Sequence, residues 1–190
     1  MSIVSTVIIG GRTRSCSKCL SRRDKPLTQE RLKQLFDYNP ATGEFFWKAP
    51  TKRHHPGGRA GGIDNSYGYW KITVDGRKYK AHRLAWLHTY GHFPKEELDH
   101  INRDRADNRI ANLREASPRQ GRANCKARRD SHSGLKGAHR HGQHWQSVIK
   151  QGEIRIHLGS FGTAEAAHKA YCNAARELHG EFFCDGIPIS

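Results

Sequence analysis

Residues 98–117, LDHINRDRADNRIANLREAS, carry an Asp-His pair, three Asn and four Arg, and no apolar run. No other stretch limits the fold as strongly. Sequence this polar belongs on a solvated loop, so its few apolar residues mark where ordered structure meets it. Residues 98–101 read as a short strand, residues 102–109 as a turn-rich loop, and residues 110–117 as a returning strand. SPRQGRANCKARR then reads as a helix over 118–129, with Ser117 as N-cap and Pro118 at the first helical position. Strand, loop, strand and helix can hold a metal between strand and helix. Two meanings stay open: a basic surface loop, or a place where a carboxylate, an imidazole and amides meet a phosphate.

Charge narrows the partner. With 33 Lys and Arg against 18 Asp and Glu, a formal charge of +15 on 190 residues gives a large positive field suited to a polyanion. An anionic membrane would require an amphipathic anchor or an apolar span. The longest apolar-rich stretch, residues 3–11, falls far short of about 20 residues. That stretch also lacks a preceding positive region, so no secretory signal is expected and the chain is read as cytoplasmic, without membrane partners. Five cysteines, an odd count, fit a reducing compartment. Cys16 and Cys19 form a C-x-x-C with no second ligand pair at comparable spacing, leaving zinc and an ordinary reduced pair both open.

Along the chain, residues 1–26 read as a flexible basic arm, 27–130 as a first module and 131–186 as a second. LTQERLKQLF is a short helix with Thr28 as N-cap, Leu27 and Leu32 as a hydrophobic staple, and Leu32, Leu35 and Phe36 buried. YNPATGEFFW turns into a strand at 45–47, and YWKITVDGRKYK is a hairpin around Asp75-Gly76. AHRLAWLHTYG is a helix that buries Leu84 and Leu87 and stops at Gly91. The second module has strand candidates at 135–141, 144–150 and 154–161. A helix over 163–179 follows, with Ala167, Ala170, Tyr171, Ala174 and Leu178 on one face and Gly180 as its stop. Lys136, His139, Arg140, His141, Lys150 and Arg155 around Trp145 would make a basic face with an aromatic centre, unless Trp145 belongs to the core.

The chemistry that suits residues 98–117 is phosphodiester hydrolysis, which needs a deprotonated water and a divalent cation on the phosphate oxygens. Imidazole suits the first task and a carboxylate the second. Adjacent strand residues point to opposite faces, so Asp99 and His100 could act together only where the strand ends or bends. Asn112 could cross the loop and hold its backbone. The alternative is that Asp99 pairs with an arginine and His100 is a surface residue.

KAHRLAW, LDHINRDRADNRIANLREAS and RANCKAR resemble the H-N-H homing-endonuclease family of phage and group I introns, over roughly 27–129. The resemblance implies a ββα-metal nuclease with Asp99 as metal ligand, His100 as general base and Asn112 steadying the loop. The family's second metal ligand, His or Asn, often stands nine positions after that Asn. Here that position is Gly121, and Asn124, one helical turn further, is the carboxamide that could serve. LGSFGTAEAAHKAY and AARELHGEF resemble the plant ethylene-response-factor type of DNA-binding domain, whose three-stranded sheet enters the major groove. Trp145 and Arg155 match its contact residues, while His139, Lys150 and His157 replace its usual Arg, Arg and Trp. Together these resemblances imply an α+β chain: a ββα-metal module, then a three-stranded antiparallel sheet packed on one helix. The expected activity is metal-dependent cleavage of double-stranded DNA with Mg²⁺ or Mn²⁺, in the host cytoplasm for a phage-encoded chain, and with no small-molecule cofactor. Arg83, Lys136, Arg140, Trp145, Lys150 and Arg155 are the expected DNA contacts. A DNA-bound regulator without cleavage is the competing reading, and an RNA-binding accessory protein, resting on charge alone, is a third.

Overall fold

A computed structural model describes residues 26–50, 54–128 and 130–187. The arm with Cys16 and Cys19 lies outside the described residues. Those residues mix four α-helices with several small antiparallel sheets.

The first helix, α1 (Gln29–Leu35), starts where the Thr28 hydroxyl accepts a bond from Arg31 N and buries Leu32 completely. Phe36, read from sequence as part of the helix face, is extended instead and begins β1 (Phe36–Asn39). It remains fully buried, because β1 pairs with β2 (Glu44–Trp47) in register Phe36↔Trp47 and turns the same side chain into the core. Next come β3 (Gly62–Ile63), β4 (Trp70–Val74) and β5 (Arg77–Lys80). The β4–β5 turn places Asp75 and Gly76 at φ 46° and 84°, as a two-residue hairpin requires, and Arg31 grips the Asp75 carboxylate at 2.8 and 2.9 Å. Helix α2 (Ala81–Tyr90) buries Leu84, Ala85 and Leu87 against Leu32, Phe36, Phe45, Ile72 and Val74, and ends at Gly91 with φ 83°.

The turn between β1 and β2 reaches further than a surface loop. Gly43 sits at φ +76°, and a Cβ there would overlap the backbone of Asn108 and Arg109, while the Tyr38 hydroxyl donates to Asn108 O at 2.8 Å. The amino-terminal hairpin therefore braces the far end of the polar loop. Gly43→Ala is expected to lower stability by at least about 1–3 kcal/mol through backbone strain alone, measured by urea unfolding, with Gly58→Ala as a milder comparison.

The polar stretch itself forms β6 (Glu97–His100), a loop, a 3₁₀ turn (Ile110–Asn112) and β7 (Leu113–Ala116), with Asp99 opposite Arg114 and His100 opposite Leu113. The returning strand thus starts three residues later than its sequence suggested. Helix α3 (Pro118–Ala123) follows, started by a Ser117/Gln120 capping box. It stops at Asn124, well short of residue 129. The Lys136 ammonium takes the carbonyls of Ala123 and Cys125 at 2.6 and 3.0 Å, groups that a longer helix would bond internally.

In the carboxyl-terminal part, β8 (Ala138–His141), β9 (His144–Gln151) and β10 (Ile154–Phe161) form a sheet in the order β10-β9-β8. Helix α4 (Ala164–His179) begins at a Thr163 cap and buries Ala164, Ala167, Tyr171, Cys172 and Ala175. Gly137, at φ +77°, lies where any Cβ would overlap the Tyr171 ring, so the chain passes close beneath α4. No helix among the described residues is long and apolar enough to cross a membrane.

Candidate active site

The density of Asn and Asp in the polar loop has a local explanation. Asn112 is buried and spans the loop, its Oδ1 accepting from Asn102 N (2.9 Å) while its Nδ2 donates to Asn102 Oδ1 (2.9 Å) and Asp107 O (3.0 Å). Asn102 in turn donates to Asp107 Oδ2 at 2.7 Å, and Arg109 holds both Asp107 oxygens at 2.8 and 2.6 Å. These bonds, led by Arg109, hold the Asp107 carboxyl below its ordinary range. In a segment without an apolar core, side-chain amides supply the cross-links.

At the start of that loop, β6 ends on His100, whose carbonyl accepts from Arg103 N at 2.9 Å as the chain turns. The turn lets neighbouring strand residues share one cavity. A cleft of about 610 Å³ is lined by Asp99, His100, Gly121 and Asn124, with Tyr69 on its wall and Arg103, Arg105, Arg122 and Lys126 among its charged residues. Those four cations outnumber the two carboxylates that line the cleft, Glu97 and Asp99, so its charge balance is positive, with the His100 imidazole beside them.

Asp99 is tied from two sides. Arg114 donates from Nε (3.1 Å) and Nη2 (2.9 Å) to Oδ2, and Asn124 Nδ2 donates to Oδ1 (3.1 Å), Oδ2 (2.9 Å) and the His100 carbonyl (2.9 Å). Three acceptors around one amide nitrogen set how the Asn124 amide is turned. Its NH₂, rather than its oxygen, faces the carboxylate, so in this arrangement Asn124 clamps Asp99. Gly121 also borders the cleft, and a Cβ there meets nothing within 4 Å.

His100 is 4% exposed. Burial pushes its pKa below that of an ordinary imidazole, opposed first by the Asn108 side chain and then by the carboxylates of Asp99, Asp104 and Asp107. His100 Nε2 and Asn108 Oδ1 are both buried without a hydrogen-bond partner, a potential donor and an acceptor belonging to side chains that influence each other. Against the His100 ring stands His82 of α2, edge-on at 5.0 Å between centroids, with Tyr69 at 5.3 Å from His82. Asp99 does pair with an arginine, the alternative weighed from the sequence, but His100 is buried rather than a surface residue; His82 and Tyr69 were passed over, and Arg114 was not named as the partner. Arg114 had a signal, since pairing the two strands symmetrically about the loop puts an arginine opposite Asp99. His82 and Tyr69 had none, being brought in by long-range packing.

Burial, then the neighbouring charges of His100, Lys80 and Arg83, bring the His82 pKa down to about 3 from 6.5. The unfolded chain therefore takes up a proton at residue 82 that the folded chain refuses, and stability drops as pH falls through this window. The expected slope from this group is about 1.4 kcal/mol per pH unit. Chemical denaturation of wild type and His82→Phe between pH 7 and pH 5 should show the wild type losing more stability; parallel losses would refute the assignment.

The expected DNA contacts divide. In register, Lys150 pairs with Arg155 and His157 with Val148, so all four lie on the sheet face away from α4, where Lys150, Arg155 and His157 are exposed. Trp145, half-buried, shares the opposite face with Ser147 and Ile149 and packs against Ala138, Ala164 and Ala167, so it stands on the α4 side of the sheet and not at the centre of the Lys150–Arg155 face. Arg140 lies on that same side, directly opposite Trp145, with its guanidinium 5.3 Å from the ring. The Lys136 ammonium turns away from the basic face and donates to the carbonyls of Ala123, Cys125 and Cys184. Arg83 sits half-buried in α2 near the Phe93 ring and does not line the cleft.

Residues 79–123, which run from β5 to the end of α3, match the family model for HNH endonuclease. No curated protein and no solved structure matches the chain significantly.

Proposed function

We propose that this protein is a metal-dependent endonuclease that hydrolyses phosphodiester bonds of double-stranded DNA in the cleft of Asp99 and His100. The observation that carries the reading is the meeting of these two side chains, from one strand end, in an arginine-lined cleft inside the segment that matches HNH endonucleases.

Among the described residues no three His, Cys, Asp or Glu side chains converge to hold a metal. A closed protein cage such as a structural zinc site is therefore not what these donors fit. They do fit Mg²⁺ or Mn²⁺ that keeps part of its own water and takes the substrate phosphate as ligand. Asp99 would hold it through Oδ1, which receives one bond while Oδ2 receives three. When bound, the cation supplies charge neutralisation at the phosphate. His100, kept neutral by burial, accepts the proton of the attacking water. Asn112 fixes the loop that carries the His100 backbone, and the cleft arginines draw in the DNA.

The exposed sheet face with Lys150 and Arg155 adds phosphate contacts of its own. Two cations directly opposite each other on neighbouring strands repel; the exposed Glu153 carboxylate, 3.6 Å from the Lys150 ammonium, offsets this in part, and a polyanion would relieve the rest. Replacing both with alanine is expected to flatten the dependence of log affinity on log salt by up to about 0.9 per lost contact. Salt titrations of duplex binding measure it, and an unchanged slope removes this face from the DNA. Cleavage itself is tested by incubating supercoiled plasmid with Mg²⁺ or Mn²⁺, with and without chelator. Nicked or linear product that disappears with chelator is expected.

A further inference from the structure

The segment after α4 does not stay with the sheet it follows. It crosses to the β6–β7 hairpin, where Glu181 O accepts from Arg114 Nη1 at 2.6 Å and the Phe182 ring lies 3.9 Å beneath the Arg114 guanidinium. Phe182 is buried with Ala116 of β7 and Ala123 of α3. Cys184 Sγ accepts from Arg103 Nη1 at 3.0 Å, and Cys184 O receives the Lys136 ammonium.

Arg114 is the residue on which these contacts converge. Its planar fork has Nε and Nη2 on Asp99 Oδ2, Nη1 on a backbone carbonyl and an aromatic ring under its face. A guanidinium held on its edges and on one face has little freedom to turn, so the carboxylate it grips is fixed as well. We infer that Phe182 and Arg114 are positioning residues for Asp99. The carboxyl-terminal strap orients the arginine, and the arginine holds one carboxylate oxygen so that the other is presented to the cleft. The carboxyl-terminal part is then a component of the nuclease site as well as a binding surface. This inference rests on the endonuclease reading above.

The test uses the full chain. Phe182→Leu keeps apolar bulk against Ala116 and Ala123 but removes the ring under the guanidinium, and Phe182→Tyr keeps the ring. Mn²⁺ affinity is read by electron paramagnetic resonance in the His100→Ala background, which leaves duplex DNA intact, and the metal dependence of cleavage is read in the parent background. Loss of a residue that orients a metal ligand is expected to weaken Mn²⁺ binding and raise the metal needed for half-maximal cleavage by roughly tenfold. Phe182→Tyr should restore both, with thermal unfolding of the two variants alike. If parent protein cuts DNA and Phe182→Leu matches it in both metal readouts, the positioning role is overturned and the endonuclease reading stands. If the parent neither cuts DNA nor binds Mn²⁺, both fall together.

Discussion

Replacing His100 with alanine is expected to slow DNA cleavage by about 10²–10⁴-fold, the usual loss when a general base is removed. Duplex affinity should stay near the parent value, because the imidazole is buried and neutral while the cleft cations Arg103, Arg105, Arg122 and Lys126 are untouched. Single-turnover cleavage and equilibrium binding measured on one preparation separate the two effects. An alanine variant that cuts at the parent rate would take His100 out of the chemistry. A variant that also loses binding would mean that the substitution collapses the loop, a result that Asn112→Ala would then reproduce.

Gly121→Asn is expected to act in the opposite direction. Gly121 borders the cleft on α3, and open space surrounds the position its Cβ would take. An amide oxygen added there gives the cation a second protein ligand beside Asp99. One such contact worth about 1.4 kcal/mol would lower the metal concentration for half-maximal cleavage tenfold. Asn124→Ala should do the reverse, because it removes the NH₂ that clamps Asp99 and leaves the His100 carbonyl without that donor. Cleavage rates across a Mg²⁺ titration decide both. A silent Gly121→Asn would show that residue 121 is outside the reach of the metal. If only Gly121→Asn cuts, the natural chain is a DNA-bound regulator.

Much of this site was legible in residues 98–117, for a physical reason. Short strands flanking an Asx-rich loop have few alternatives, and the Asp75-Gly76 turn and the Thr28, Ser117 and Thr163 caps are local signals whose cause and effect lie within a few residues. Where tertiary contacts decide, local reading stopped short. Helix α3 ends at Asn124, where Lys136, twelve residues on, takes the carbonyls of Ala123 and Cys125 on either side of the cap. Trp145 faces α4 because strand parity places it with Ser147 and Ile149, a choice that its neighbours' basic character concealed. The perpendicular His82 ring and the Phe182 platform come from elements 18 and 82 residues away from His100, distances over which no periodicity speaks.

On the proposed mechanism, water deprotonated at His100 attacks a DNA phosphodiester in the Asp99 cleft. The most direct measurement is cleavage of supercoiled plasmid with Mg²⁺ in water enriched in oxygen-18, followed by mass analysis of the new terminal phosphates under single-turnover conditions. One solvent oxygen is expected in each terminal phosphate, with product formation lost on chelation and in Asp99→Ala. Absence of cleavage with either Mg²⁺ or Mn²⁺, or products that carry no solvent oxygen, would contradict this mechanism.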